Sequence, residues 1–468
     1  MTKNDNIYNK TDEPSPCLPC LESLGKVGII SLGCSKNRVN TEQMMFLLSS
    51  AGYEVSGDIS GADVVLLNTC GFIESAKAEA VETIIELLDD KKDGSIGKLV
   101  VAGCYPERYK ETILEELPEI DAVIGTGSFD DVVDVIKKAQ HLSPCFFGDI
   151  NAPVSETPRI LSTSSAWAYL KIAEGCDNRC AYCCIPDIRG KFRSRMIENI
   201  VDEAKRLADN GIRELIVVAQ DVTMYGLDVY GKRRLSDLLL ELNKIDKLNW
   251  IRLHYLYPDE FDDELIDVIA KSGKILKYLD IPIQHISDII LNKMRRRGSG
   301  LEIRELIKRL REQIPGVVIR TSLITGLPGE GEDEFNEICE FLREYELERV
   351  GVFAYSPEEG TDAALMERPS KEIAENRADE LLELQSYIMQ KWNESRIGTV
   401  TDVIFEDIAA EIDGKVYNLA RSFAESPEID GYILVEETQR QHPYLKTGEM
   451  FSCRITGIFN GELIGELI

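Results

Sequence analysis

No apolar run in the sequence approaches the roughly 18 residues needed to span a bilayer, and the first 25 residues (MTKNDNIYNKTDEPSPCLPCLESLG) lack the apolar stretch of a signal peptide. A membrane association is therefore not expected, and the cytoplasm is the expected compartment. Positive charge is also scarce: 53 Lys and Arg stand against 82 Asp and Glu, a formal net charge of −29. Phosphate binding depends on Lys and Arg displacing counterions, so a broad nucleic-acid-binding surface is not expected, whereas a basic partner fits. Without a secretion signal the 12 cysteines should stay reduced, and any clustering among them points to metal or catalysis rather than disulfides.

What is present reads as a folded chain, with 44% hydrophobic and 29% charged residues. Its 468 residues exceed a single core and divide into roughly two to four domains. Residues 1–24 are polar and proline-containing and read as a flexible arm. Over 25–141, short apolar runs (KVGIIS, DVVLLN, KLVVAG, DAVIG) alternate with helical patterns, which predicts an α/β domain with a doubly wound parallel sheet. Residues 142–166 lack periodicity and read as a linker. Over 167–398 the runs AYLKIA, ELIVVA, WIRLH, YLDIPI, VVIRTSLIT and VGVFA alternate with helices, predicting a partial (βα)6 barrel. Residues 399–468 show short alternating strands broken by Gly, Pro and Asn, as in a small all-β barrel. That last segment carries five basic against thirteen acidic side chains, a net charge of −8.

The run EGCDNRCAYCCIPDIRG sets Cys176, Cys180 and Cys183 just after the first strand of the barrel. Three thiolates on one tight loop can hold three corners of a four-iron cubane, leaving one iron with an exchangeable site. A zinc site would need a second cysteine pair or a nearby His, and neither accompanies this set. Cys184 is expected as a packed thiol, since its side chain points away from its neighbour's. Cys34 follows KVGIIS, Cys70 follows DVVLLN and Cys104 follows KLVVAG, so all three emerge at one carboxyl edge of the sheet. Ligands bind at that edge, and three thiols there make a second open cluster site rather than three separately buried cysteines. Cys17, Cys20, Cys145, Cys339 and Cys453 show no such pattern.

The spacing Cys176-x-x-x-Cys180-x-x-Cys183 resembles the signature of radical S-adenosylmethionine (SAM) enzymes, and with the upstream triad the chain resembles the radical SAM methylthiotransferase family. The resemblance runs from Lys26 to Ile468: SLGCSKNRVNTE and NTCGFIESA upstream, CIPDIRGKFRSR in the radical SAM barrel, and a C-terminal TRAM-like barrel. The runs VVAQDVTMYG (217–226) and GVFAYSPEEGTDAA (351–364) resemble the branch that modifies an aspartate of a small-subunit ribosomal protein. The alternative branch modifies an isopentenyl-adenosine of tRNA. The acidic C-terminal segment suits a basic ribosomal protein, or the small ribosomal subunit, better than tRNA.

The resemblance implies two 4Fe-4S clusters, SAM as cofactor and an electron donor. The open iron on Cys176, Cys180 and Cys183 would chelate SAM, whose reductive cleavage gives a radical able to take hydrogen from an aspartate β-carbon. The cluster on Cys34, Cys70 and Cys104 would carry the sulfur. Tyr182 matches an aromatic position beside the SAM adenine. Gln220 and Asp221 stand where many radical SAM enzymes have Gly-Gly-Glu, and Arg320 and Gly326 are expected at a strand end within reach of SAM. Gln284 and His285 are expected at the barrel mouth, Arg189, Arg193 and Arg195 near an anionic cofactor or substrate, and Lys293–Arg297 as a solvated helix end. A monomer is expected, and a non-catalytic iron–sulfur protein is the reading from another class.

Overall fold

The computed structural model describes residues 24–110, 112–139, 144–412, 414–436 and 446–468. The expected arm, with Cys17 and Cys20, lies outside the described residues except for Leu24. The first sheet holds six parallel strands: β1 (Lys26–Ser31), β2 (Glu54–Ser56), β3 (Val64–Thr69), β4 (Lys98–Gly103), β5 (Ala122–Ile124) and β6 (Cys145–Phe146), in the order β2-β1-β3-β4-β5-β6. Every residue of β3 is buried, and its side chains alternate between two cores. Val64 and Leu66 pack with Met44, Leu48, Val132 and Ile136 on one face, while Val65 and Leu67 pack with Ala80, Ile84 and Leu87 on the other. Helices on both faces explain the continuous apolar text of these strands and give the expected doubly wound sheet. The edge strands β2 and β6 carry too few residues for a sequence pattern.

The second sheet is also parallel. Its strands are β7 (Trp167–Lys171), β10 (Glu214–Val218), β11 (Trp250–Leu253), β12 (Ile275–Asp280), β13 (Val318–Thr325) and β14 (Arg349–Ala354), in the order β14-β13-β12-β11-β10-β7. Between β7 and β10, the short strands β8 (Ala173–Glu174) and β9 (Arg193–Ser194) pair antiparallel. Chain-order neighbours with helical crossovers form the expected open (βα)6 barrel. Ala168, Leu170, Leu215, Val217, Ile251 and Leu253 pack against the outer helices. The opposite face, with Trp167, Tyr169, Ile216, Tyr278 and Val318, is covered by Val39 of the first domain and by Ile404 and Ala424 of the last.

The C-terminal strands β15 (Val400–Ile412), β16 (Lys415–Arg421), β17 (Ile433–Glu436), β18 (Met450–Phe459) and β19 (Glu462–Leu467) close a barrel in the order β15-β16-β17-β19-β18. A buried quartet joins it to the central sheet. Arg252 Nε meets Glu214 at 2.7 Å, and Arg421 bridges Glu214 at 2.8 Å and Glu406 at 2.5 Å. Two cations and two anions balance, as buried ions must. Cys339 packs among the outer helices and Cys453 inside the last barrel. Among the described residues no helix is long and apolar enough to cross a membrane.

Candidate active site

The chain enters the first thiol loop through β8 and Gly175. This glycine has φ +83°, and a Cβ on it would meet Lys191 O at 2.1 Å, so only glycine turns the chain here. Cys176 N–H donates to Gly190 O at 3.1 Å, Cys183 N–H to Cys180 O at 3.0 Å, and Ala181 N–H to Met294 O at 2.9 Å. Asn178 Nδ2 donates to Asp221 at 2.8 Å, and Asp221 accepts the Thr223 N–H at 3.0 Å. The three thiols therefore sit on one pinned loop. Burial pushes the Cys176 thiol up to about 11; burial, with Cys180 nearby, pushes Cys183 well above the ordinary thiol range. Binding a metal has to displace those protons.

The second triad occupies the carboxyl edge of the first sheet, where Cys34 follows β1, Cys70 follows β3 and Cys104 follows β4, three adjacent strands. Gly33 has φ +87°, and a Cβ there would lie 2.7 Å from that of Cys70, so the loops carrying Cys34 and Cys70 touch. Burial, with Cys104 and Cys34 adding, pushes the Cys70 thiol up to about 12. Burial also raises Cys104 against the pull of Arg189. Cys34, an exposed residue, behaves oppositely: against what desolvation it has, Lys36 and Arg189 hold it below the ordinary value. No group of three His, Cys, Asp or Glu among the described residues is close enough to hold a single metal ion. A cubane needs its thiolates farther apart, because each binds a different iron.

The two triads adjoin one another. Cys184, directly after Cys183, packs with Cys104 and Ile188, and its thiol donates to Phe72 O at 3.6 Å. Arg189, from the central domain, donates to Cys104 Sγ at 3.1 Å, to Asn37 Oδ1 at 2.9 Å and to Asn40 Oδ1 at 2.8 Å. Three buried cations crowd this junction: Lys36, Lys171 and Arg189. Glu174 is the buried carboxylate for Lys171 at 2.9 Å and Arg189 at 3.4 Å. Lys36 lies over the Tyr255 ring at 3.5 Å and makes no ion pair among the described residues. Uncompensated buried charge is costly. Excess positive charge beside three thiols fits a thiolate-bound cluster, which is an anionic occupant.

A cavity of about 1340 Å³ opens between the two domains. Tyr182, Gln284 and Gly326 line it, together with Phe72 and Ile73 from the first domain and Tyr355 and Met366 from the central one. The other expected cofactor contacts are not among its lining residues. Gln220 Nε2 donates to Glu174 at 2.5 Å, inside the charged junction. Asp221 holds the cysteine loop through Asn178. Arg320, expected at a strand end, is instead the third residue of β13, which continues to Thr325. Its guanidinium meets Asp280 at 2.7 Å and Asp430 of the C-terminal barrel at 3.9 Å. His285 is buried, accepting from the Ser287 N–H and lying 3.4 Å from Glu330. Arg193 donates to two backbone carbonyls, and Arg195 pairs with Glu156 and Glu203.

The run Lys293–Arg297, expected as a solvated helix end, departs from that reading. Arg295 pairs with Asp362, and Arg297 with Asp259 and Glu260, but Arg296 turns inward. It is 7% exposed, 3.3 Å from Tyr182 Oη and 3.9 Å from Cys180 Sγ, and its guanidinium stacks on the Tyr257 ring at 4.3 Å. The helix ends at Lys293, and Arg295 takes φ +56°, so the turn rather than any periodicity chooses which arginine is buried.

The Radical SAM superfamily matches residues 170–342, the uncharacterized protein family UPF0004 matches 26–125, and the TRAM domain matches 397–468. The chain is 45% identical to the ribosomal protein uS12 methylthiotransferase RimO of Acetivibrio thermocellus, covering 95% of this chain and 98% of that one. It is 43% identical to the protein of the same name from Clostridioides difficile, covering 95% and 99%. In fold it is similar to the radical SAM methyltransferase TsrM of Kitasatospora setae, with TM-score 0.54 and 14% identity over 71% of this chain and 73% of that one. The chain therefore belongs to the RimO family of radical SAM methylthiotransferases.

Proposed function

We propose that the protein adds a methylthio group to the β-carbon of an aspartate in ribosomal protein uS12, using two 4Fe-4S clusters and SAM. The observation that carries this reading is the contact between the triads: Cys104 of one packs against Cys184, the neighbour of Cys183 in the other. In this reading Cys176, Cys180 and Cys183 hold the cluster that binds SAM. Cys34, Cys70 and Cys104 hold the second, and the cavity between the domains receives the substrate loop. When bound, these groups supply a carbon radical and the sulfur it captures, chemistry that no side chain performs.

The protein's own residues position and seal. Tyr182, Gln284 and Gly326 give the cavity a floor beside the first loop, and Arg296 compensates negative charge at Cys180. Asp221 fixes the loop through Asn178, while Arg189 and Lys36 balance a cluster on the second triad. The acidic C-terminal barrel suits a basic ribosomal protein, within the small subunit or free of it, and disfavours the tRNA reading. A ribosomal substrate puts the enzyme in the cytoplasm, where an electron donor must also reach it.

Mass spectrometry of uS12 and of tRNA from a deletion strain tests the substrate. The expected result is loss of the methylthio-aspartate with tRNA modification intact; loss of a modified tRNA base with uS12 unchanged would overturn it. Anaerobically reconstituted protein reduced with dithionite should release 5′-deoxyadenosine, and the Cys180→Ala variant should not.

A further inference from the structure

The helix Glu74–Asp93 begins four residues after Cys70, and its N-cap residue, Ile73, has no side chain able to accept a hydrogen bond. Open N–H groups at a helix start need an acceptor and favour a negative charge. The acceptor comes from the other domain: Glu74 N–H donates to Glu358 Oε1 at 2.8 Å. The same carboxylate takes Lys77 Nζ at 3.1 Å and Arg108 Nη1 at 2.9 Å through its second oxygen. Ser356 Oγ donates to its first oxygen at 2.8 Å. The Glu358 side chain is only 2% exposed.

Arg108 lies four residues after Cys104, on the short helix Cys104–Tyr109. Besides Glu358 it donates to Gly71 O at 2.8 Å, the carbonyl directly after Cys70, and to Glu359 O at 2.8 Å in the central domain. One buried carboxylate thus ties down both the segment after Cys70 and the segment after Cys104. It does so from the loop that follows β14, on the wall of the cavity into which Tyr182 also projects. On the opposite side of the second triad, Arg189 makes the matching tie to Cys104 and to the helix that begins after Cys34.

Nothing in the first domain alone would fix how far the second triad stands from the first. These ties, together with Cys104 packed on Cys184 and Val39 packed on the central sheet, fix that distance. Resting on the two-cluster reading above, we propose that Glu358 is a positioning residue that sets the spacing between the two thiol triads, so that events at one are coupled to delivery of sulfur from the other. Its location in the run GVFAYSPEEGTDAA gives that run a physical role. A misplacement of an ångström between reacting groups lowers rate by as much as roughly 10²-fold. A weakened clasp should therefore waste radicals without stopping their formation.

The test compares full-length wild type with Glu358→Gln and Glu358→Asp after anaerobic reconstitution, using a uS12 substrate, SAM and dithionite. Iron content of both triads should stay within about twofold of wild type, because Glu358 touches neither triad. Methylthiolated product per 5′-deoxyadenosine should fall by about tenfold or more in Glu358→Gln, within the misplacement range above. It should recover in part in Glu358→Asp, which keeps the charge. In the metal-free proteins, hydrogen exchange at residues 71–78 and 104–109 should rise in Glu358→Gln. An unchanged product ratio would overturn the proposal, as would unchanged exchange, or loss of iron from the second triad in Glu358→Gln. Should wild type release 5′-deoxyadenosine yet never methylthiolate uS12, the proposed function fails instead, and the exchange comparison still decides the clasp.

Discussion

Arg189 donates a hydrogen bond of 3.1 Å to the sulfur of Cys104, across the boundary between two domains. The arginine comes from the helix that follows the first cysteine loop, and the thiol from the end of β4. Removing its charge leaves Cys104 without the cation hydrogen-bonded to its sulfur. Arg189→Met should therefore lose iron from the second triad while the first remains loaded. Iron analysis together with electron paramagnetic resonance should show one cluster signal retained and one diminished, with Arg189→Lys intermediate because lysine keeps charge but not the forked geometry.

The two triads should separate by function. Cys180→Ala should abolish 5′-deoxyadenosine formation, whereas Cys104→Ala should still form it but make no methylthiolated uS12. Liquid chromatography with mass spectrometry reads both products from one reaction. Loss of both products in both variants would contradict separate roles.

Asp221 is expected to act through the loop rather than on SAM, because its carboxylate is engaged by Asn178 and Thr223. Asp221→Ala should let chelators strip the first cluster faster, with little change in the second. Asn178→Ala should reproduce the effect, as it removes the other half of the same bond.

Acid sensitivity should trace to the joint with the C-terminal barrel. Glu425 is buried, which alone would raise its carboxyl, but Arg396 and Arg349 outweigh burial and hold it at about 2. An ionised carboxylate favoured by folding gives stability that is present above the ordinary value of about 4.5 and lost as pH falls toward 2. Glu425→Gln should cost about 3–5 kcal/mol at neutral pH, leaving buried Arg349 and part-buried Arg396 short of a partner. The gap between variant and wild type should narrow below pH 4.5. Denaturant titrations of metal-free protein at several pH values measure it.

Much of this was legible in the sequence because it rested on local rules. The middles of β1, β3 and β4 are apolar since helices cover the sheet on both faces, and a cysteine after each strand lands at one edge whatever the details of packing. Contacts between distant segments were not legible. Arg320 was expected at a strand end, but β13 extends five residues beyond it, to Thr325, and its partners Asp280 and Asp430 come from other segments. Arg296 looked solvated because its neighbours are, and only the turn at Arg295 sends it inward. Glu358 was hidden within a motif quoted for its resemblance, since its partners in the first domain lie some 250 to 284 residues away in the chain.

The quartet of Glu214, Arg252, Arg421 and Glu406 has a consequence for how a substrate is received. Those four charges, sealed at the joint, tie the acidic barrel to the central sheet through a buried, balanced network. A partner that settles on the acidic face meets a gauge of fixed length to the cavity. Any adjustment of reach after docking would then come from slack in the partner's own loop.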